Sequence, residues 1–217
     1  MKHLTGNILP AGETEVRVPT RRALAKQQTR AKVLAAARRL FSEQGFDGAT
    51  IRDIAAAAGM STGAVFANFA DKTDLFHEIM IADIAMLAEE MRAAASRGKT
   101  VDEALLKIFM AGYSFYKGQL PLARAAFSVS WTSDHGRVLR KIEPAQVLIE
   151  LIADELNAGA ARGELSRECE VRLRSQMLFD CYLSNYPQAI FDGWSLDALQ
   201  TRSRDQIRVV LAGARRG

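Results

Sequence analysis

Residues 54–69 read IAAAAGMSTGAVFANF, and two different structures could contain this stretch. Its centre, Gly59-Met60-Ser61-Thr62-Gly63, fits the G-x-S-x-G pattern of a hydrolase nucleophile elbow. The same letters fit the turn and second helix of a helix-turn-helix. In the first structure Ser61 is a nucleophile, whereas in the second it caps a helix.

The residues before the serine favour the second structure. A nucleophile elbow needs a β-strand that runs into the serine, because the strained strand-to-helix turn exposes the hydroxyl. The residues before Ser61 include four consecutive alanines, 55–58, which favour a helix and disfavour a strand. No alternation of strands and helices elsewhere would build a hydrolase sheet. A serine hydrolase is therefore kept only as an alternative.

A helix-turn-helix accounts for each position of the turn. Gly59 tolerates the left-handed backbone that ends the first helix of the pair. Ser61 can accept a hydrogen bond from the backbone N–H groups of the next turn, which typically contributes about 1 kcal/mol. Val65 and Phe69 have the spacing of apolar anchors for the second helix. We therefore predict a helix-turn-helix over residues 50–69.

The rest of the chain also reads as helical. Ala, Leu, Arg, Glu and Gln dominate the long segments, and the alternation typical of strands is absent. The predicted fold class is all-α, with a first helix that ends at Gln44. The predicted helices follow the caps Thr29, Thr50, Ser61 and Asp71 and then span about 101–117, 121–133, 143–161, 168–191 and 196–213.

The positive charge of the chain lies in its first third. The net charge is +4, and 11 Lys and Arg stand against 7 Asp and Glu up to Leu75, whereas the two classes are equal at 18 from Phe76 onward. A basic arm beside a small domain is an electrostatic footprint for phosphate. We therefore predict a flexible arm at 1–22, a DNA-binding domain at 23–75 and a larger domain at 76–217. The basic residues of the arm and the first helix are Arg17, Arg21, Arg22, Lys26, Arg30 and Lys32.

The composition of the chain indicates in which cellular compartment the protein is expected. Hydrophobic residues make up 48% of the chain and charged residues 25%, as in ordinary soluble proteins. Charges interrupt every apolar stretch before the roughly 18 residues of a membrane span, and the N-terminus lacks a secretory signal. Two cysteines suggest a reducing compartment, and the three histidines lack the spacing of metal ligands. We expect a cytoplasmic protein with no membrane contact, no metal and no cofactor.

Beyond these local arguments, residues 49–75, ATIRDIAAAAGMSTGAVFANFADKTDL, resemble the DNA-binding domain of the TetR family of bacterial transcriptional regulators. The preceding helix and its exit at Gly45-Phe46 are also similar to that family, so the resemblance covers about residues 27–80. It implies a ligand-responsive regulator, most simply a repressor, that binds a palindromic operator as a homodimer and is not an enzyme. A non-specific DNA-packaging protein is the second alternative, and a steep salt dependence without a preferred sequence would distinguish it.

The resemblance also implies which residues contact DNA. The third helix would enter the major groove, and the start of the fourth would grip the backbone. Lys72 suits a phosphate at a helix start, and Asn68 is able to make a bidentate contact to adenine. Phe66 stands where the family commonly has tyrosine, so a hydroxyl contact to phosphate is lost. The predicted DNA-binding residues are Arg30, Thr50, Arg52, Ser61, Thr62, Gly63, Ala64, Phe66, Asn68 and Lys72.

For the region after Phe76, the resemblance implies a domain that binds an effector and forms a dimer through its last two helices. Aromatic and soft side chains in this region would suit a small hydrophobic or aromatic effector, although a plain core would use the same residue types. The predicted pocket residues are Phe109, Tyr113, Phe127, Trp131, Met177 and Tyr182. Tyr116 is a further aromatic candidate, and the polar candidates are Ser114, Ser128 and Asn185.

Overall fold

The structure, a computed structural model, describes residues 20–132 and 143–215. For residues 127–132 and 143–145 it describes the backbone alone. Within these ranges the regular structure is helical, apart from an isolated β-bridge between Leu165 and Arg215. None of the described helices is long and apolar enough to cross a membrane. The helices are α1 Arg21–Gly48, α2 Ile51–Ala57, α3 Thr62–Phe66, α4 Lys72–Ala95, α5 Val101–Lys117, α6 Leu120–Thr132, α7 Glu143–Ala161, α8 Val171–Ser184, α9 Tyr186–Ile190 and α10 Leu196–Leu211, followed by a 3₁₀ turn at Ala212–Ala214.

Three of the four predicted caps are confirmed. The side chains of Thr50, Ser61 and Asp71 each accept a hydrogen bond from the backbone N–H three residues further on. Thr29 as a cap is wrong, because α1 begins at Arg21 behind the cap Thr20. The residues between them, RRALAKQQ, are strong helix formers, and the prediction missed them because it required an apolar stripe. The last two residues of the predicted arm are therefore helical.

Two glycines with positive φ shape the region of α1 to α3. Gly45 has φ 76° and interrupts α1, so the regular part of that helix ends at Gln44 as predicted. Gly59 has φ 69° and lies in the turn between α2 and α3. A residue with a side chain rarely adopts this backbone conformation, and glycine adopts it without strain.

Two other predicted boundaries are wrong. The third helix ends at Phe66, three residues early, and the predicted helix over 168–191 is two helices that meet at Asn185. Pro187 lies in the first turn of α9, where its missing N–H is not needed, and it separates the new helix from α8.

The helices enclose two hydrophobic cores. The N-terminal core contains residues of α1 to α4 together with Leu122 and Ala125 of α6. The C-terminal core lies among α4 to α10, and α4 contributes to both cores. The region of α1 to α3 is thus held in place by helices from the larger region as well as its own.

Candidate nucleic-acid interface

The short helix α3 is anchored on one side and open on the other. Val65 and, just after the helix, Phe69 are buried in the N-terminal core. Thr62, Gly63 and Phe66 are exposed, and Phe66 keeps 55% of its surface accessible. The predicted groove-facing residue Ala64 is only partly exposed. The sequence therefore presents one face of α3 outward, as recognition by a groove requires.

Ser61 serves as a helix cap in this structure. Its Oγ accepts a hydrogen bond from the Ala64 N–H at 3.2 Å. The segment that leads to it is the helix α2 and the turn at Gly59, so the strand that a nucleophile elbow needs is not there. The hydrolase alternative loses its structural basis.

The start of α2 carries two further predicted contacts. The Thr50 hydroxyl donates to an Asp53 carboxylate oxygen at 2.6 Å, and its oxygen accepts from the Asp53 N–H at 3.2 Å. Thr50 therefore holds the helix start and keeps little capacity for a phosphate. Arg52, in the first turn of α2, is exposed and forms no ion pair with any described residue, which leaves its guanidinium available to an anion.

Arg30 holds α3 in place. Its guanidinium donates to the Asn68 carbonyl oxygen at 2.5 Å, pairs with the Glu78 carboxylate and lies 4.3 Å from the centre of the Phe69 ring. These three contacts join α1 to the end of α3 and to α4. A direct phosphate contact, as predicted for Arg30, would compete with them.

The amide of Asn68 is turned toward its own helix. Its Nδ2 donates to the Ala64 carbonyl oxygen at 2.9 Å, and its Oδ1 is buried without a hydrogen-bond partner among the described residues. A bidentate adenine contact needs both atoms to face the groove. The structure therefore does not present Asn68 in the predicted way.

Lys72 is similarly engaged within the protein. Its ammonium group donates to the carbonyl oxygens of Phe46 at 2.8 Å and Ala49 at 3.2 Å, and it lies 4.3 Å from the centre of the Phe46 ring. These bonds satisfy carbonyl groups in the segment after Gly45. Long-range contacts of this kind leave no local sequence signal.

The side of α1 near its start is basic and open. Arg21, Arg22, Lys26 and Lys32 are exposed, and none of them pairs with an acidic group in the described part of the chain. Arg17 of the predicted arm lies outside the described residues. The exposed cations fit a polyanion whose approach they would accelerate.

Comparison with known proteins agrees with this geometry. Residues 33–79 match the family model described as "Bacterial regulatory proteins, tetR family". These residues form a TetR-family domain.

The chain also shows sequence similarity to individual proteins. The repressor AcnR of Corynebacterium glutamicum is 44% identical over 61 residues, which are 28% of this chain and 32% of AcnR. The regulator UidR of Escherichia coli is 24% identical over 154 residues, 71% of this chain and 78% of UidR. This chain thus spans about a third of the length of the first curated relatives it matches.

The similarity of fold extends beyond the TetR-family domain. A crystal structure of the transcriptional regulator FadR from Bacillus subtilis, in complex with stearoyl-CoA, superimposes with a TM-score of 0.69 at 20% identity. The superposition covers 84% of this chain and 98% of that one. At this identity the likeness shows a shared all-helical fold.

The predicted effector residues are only partly brought together. Phe109, Tyr113 and Tyr182 are buried side by side, with ring centres 5.3 Å apart for Phe109 and Tyr182 and 5.2 Å for Tyr113 and Tyr182. Met177 does not join them, because the inner face of α8 carries Leu178 and Tyr182 and leaves Met177 43% exposed. The side chains of Phe127 and Trp131 lie outside the described residues.

Sequence reasoning missed one member of this cluster, Tyr186. Tyr116 and Tyr186 complete it, with ring centres 5.4 Å apart, and the Tyr186 hydroxyl is hydrogen-bonded to that of Tyr182. The Tyr113 hydroxyl donates to the Tyr182 carbonyl oxygen at 3.2 Å and accepts from Asn185 Nδ2 at 2.9 Å. All four tyrosines of the chain therefore meet in one place.

Burial keeps these phenols neutral. Loss of solvation raises the pKa of Tyr113 to about 12, against a smaller opposing effect of the Asn185 hydrogen bond. The pKa values of Tyr182 and Tyr186 are raised well above 10 by the same cause. Burial also raises the pKa of Tyr116, and the negative charge of Asp83 raises it further. Each hydroxyl thus remains a hydrogen-bond donor at physiological pH.

A buried ion pair lies between the tyrosines and α1. Asp83 of α4 is fully buried, and its carboxylate pairs with Arg38 of α1, with one contact at 3.2 Å. The same guanidinium donates to Gln119 Oε1 at 3.2 Å, in the turn between α5 and α6. Arg38 therefore ties the TetR-family domain to the larger region beside Tyr116. A single acid in the apolar face of α4 was the sequence signal for this pair.

Proposed function

We propose that this protein is a ligand-responsive transcriptional repressor that binds a palindromic operator as a homodimer in the bacterial cytoplasm. The observation that carries the proposal is the exposed face of α3 within a TetR-family domain, beside the exposed cations of α1 and Arg52. The repressor AcnR shares this domain, and its role supports repression here. On this proposal the protein is a regulator and catalyses no reaction.

The last two long helices support the homodimer. α8 and α10 pack against each other, and both leave large apolar side chains exposed. On α8 these are Leu173 and Leu183, and on α10 Val209 keeps 68% of its surface accessible. A second copy would cover them. The DNA argument points the same way, because one five-residue recognition helix reads few bases and a two-fold dimer doubles the contacts.

The tyrosine cluster supports a hydrophobic or aromatic effector. Its rings offer apolar surface, and its neutral hydroxyls and Asn185 offer a few oriented polar groups, the usual composition of a ligand site. FadR, which has the same fold, was crystallised with stearoyl-CoA, so acyl-CoA esters are the first compounds to test. The Arg38–Asp83 pair would pass a change in the cluster to α1, with a coupling of about 1–3 kcal/mol.

The proposal is tested by selecting a random duplex DNA pool on the full-length protein at about 150 mM salt, where non-specific binding is weak. We expect enrichment of one two-fold palindrome, followed by its release on addition of the effector. A steep salt dependence with no enriched sequence would instead favour a DNA-packaging protein. A Ser61→Asn variant, which keeps a capping side chain, should bind the same palindrome as the unmodified chain.

A further inference from the structure

The outward face of α3 lacks the side chains that usually read bases by hydrogen bonding. Its exposed residues are Thr62, Gly63 and Phe66, followed by Ala67 at the end of the helix. It carries no charge and no exposed amide. The nearest candidates are engaged elsewhere, because Asn68 donates to Ala64 and the Arg30 and Lys72 side chains bind carbonyl groups of the protein.

The major groove offers each base pair in a different chemical form. Guanine presents two acceptors that suit Arg or Lys, adenine suits Asn or Gln, and cytosine presents a donor that suits a carboxylate. Thymine alone presents an apolar group, its C5 methyl. Of these four partners, only thymine matches a face on which the largest exposed group is a phenyl ring.

Phe66 and Thr62 are positioned to act together. They are four residues apart on a helix and therefore lie on the same side, one turn from each other. The Phe66 ring is 55% exposed although phenylalanine is usually buried, whereas the neighbouring Val65 is fully buried and anchors α3. The Thr62 side chain adds a methyl group and a hydroxyl.

We infer that α3 recognises its operator through the C5 methyl groups of thymines, with the Phe66 ring as the main contact and the Thr62 methyl beside it. The inference rests on the proposed function, since it concerns how the operator is read. It predicts that each half-site contains thymines where α3 enters the groove.

The test uses the selected operator and replaces its thymines by deoxyuridine, one symmetric pair of positions at a time. Deoxyuridine lacks only the C5 methyl and pairs with adenine in the same way. Burying one methyl typically changes an equilibrium about 4-fold, so removal from both half-sites should raise Kd about 15-fold at one or two positions. Replacement at the remaining positions should leave Kd within about 2-fold.

A Phe66→Ala variant identifies the residue that reads the methyl. The side chain is exposed, so the variant should fold, and an unchanged melting temperature confirms that it does. It should bind the thymine operator more weakly and lose its sensitivity to deoxyuridine at the positions where the unmodified protein is sensitive. A Phe66→Leu variant, which keeps an apolar contact, should retain part of that sensitivity.

Three outcomes overturn the inference or its basis in different ways. If a palindrome is selected but no deoxyuridine replacement weakens binding, methyl recognition is wrong and the proposed function stands. If Phe66→Ala keeps the full sensitivity, the methyl is read by another residue and the role of Phe66 is wrong. If no palindrome is selected at all, the proposed function fails before the inference is reached.

Discussion

The two cores of this protein are built from different aromatic residues. In the N-terminal core Phe41, Phe46 and Phe76 meet edge to face or tilted, with ring centres 5.1–5.6 Å apart. The C-terminal core contains all four tyrosines and the buried Asn185. The fully buried side chains of the first core are apolar. The second core adds the tyrosine hydroxyls and Asn185, which are the polar groups that the proposed effector site would use.

The two cores are also connected by shared parts. α4 runs through both, and α6 contributes Leu122 to the first and Ala123 to the second. The Arg38–Asp83 pair lies at their border. The comparison therefore raises a measurable question, namely whether the cores behave as one cooperative unit or as two.

The largest effect is expected from Phe76→Ala in the N-terminal core. Removing a buried phenylalanine that contacts two other rings should lower the free energy of unfolding by about 3–5 kcal/mol. Urea unfolding followed by circular dichroism measures it. The matched control is Phe66→Ala, which removes the same side chain from the surface and should change stability by less than about 0.5 kcal/mol. Two separate transitions in the Phe76→Ala variant would show that the cores unfold independently.

The second-largest loss of stability is expected at the border between the two cores. Arg38→Met leaves the buried Asp83 carboxylate without its cation and should cost about 3 kcal/mol of stability. The neighbouring Arg39→Met is the control, because Arg39 and its partner Glu43 are both more than half exposed and should contribute less than about 1 kcal/mol. Equal stabilities of the two variants in thermal unfolding would contradict the assigned role of Asp83.

The buried tyrosines should make the stability of the protein fall at high pH. Because burial raises the pKa of Tyr113 from 10 to about 12, the unfolded chain releases this proton at a lower pH than the folded one. The contribution of Tyr113 to the free energy of unfolding is constant below about pH 10. It is lost as pH rises through 12, by roughly 1 kcal/mol per pH unit. Urea unfolding of the unmodified protein and of Tyr113→Phe between pH 8 and 11 measures the difference in slope.

Absorbance at 295 nm provides an independent check. Since every tyrosine of the chain belongs to the cluster, the folded protein should show no phenol that titrates near pH 10. A normal titration of one or more tyrosines in the folded protein would mean that the cluster is open to water.

The smallest effect is expected at the start of α4. Asp71 Oδ1 accepts from the Asp74 N–H at 2.8 Å, and Asp71→Ala should therefore cost about 1 kcal/mol. Asp71→Asn keeps an acceptor and should restore most of the stability in the same thermal assay. A loss as large for asparagine as for alanine would show that the charge, and not the cap, is what matters.

Features set by neighbouring residues were predictable from the sequence. The caps Thr50, Ser61 and Asp71 and the turn at Gly59 follow from residue types within a few positions of each other, and the structure confirms them. The all-α fold follows in the same way from helix propensity and the absence of strand patterns.

Side-chain directions were not predictable, because partners distant in the chain determine them. Arg30 contacts residues 38 and 48 positions away, and Lys72 contacts a carbonyl 26 positions away. A local pattern marks such residues as exposed cations, whereas the fold directs them inward. Tyr186 was missed for the same reason, since α5, α8 and α9 bring the members of the tyrosine cluster together only in the folded chain.

The position of Leu122 limits how this molecule can be divided. It is buried in the N-terminal core, yet it lies more than forty residues beyond the end of the TetR-family match at residue 79. A fragment cut at the end of α4 would leave an apolar strip along α1 open to water. A chimera that exchanges the C-terminal regions of related proteins should therefore transfer the inner face of α6 together with the TetR-family domain, with its crossover points on either side of that helix.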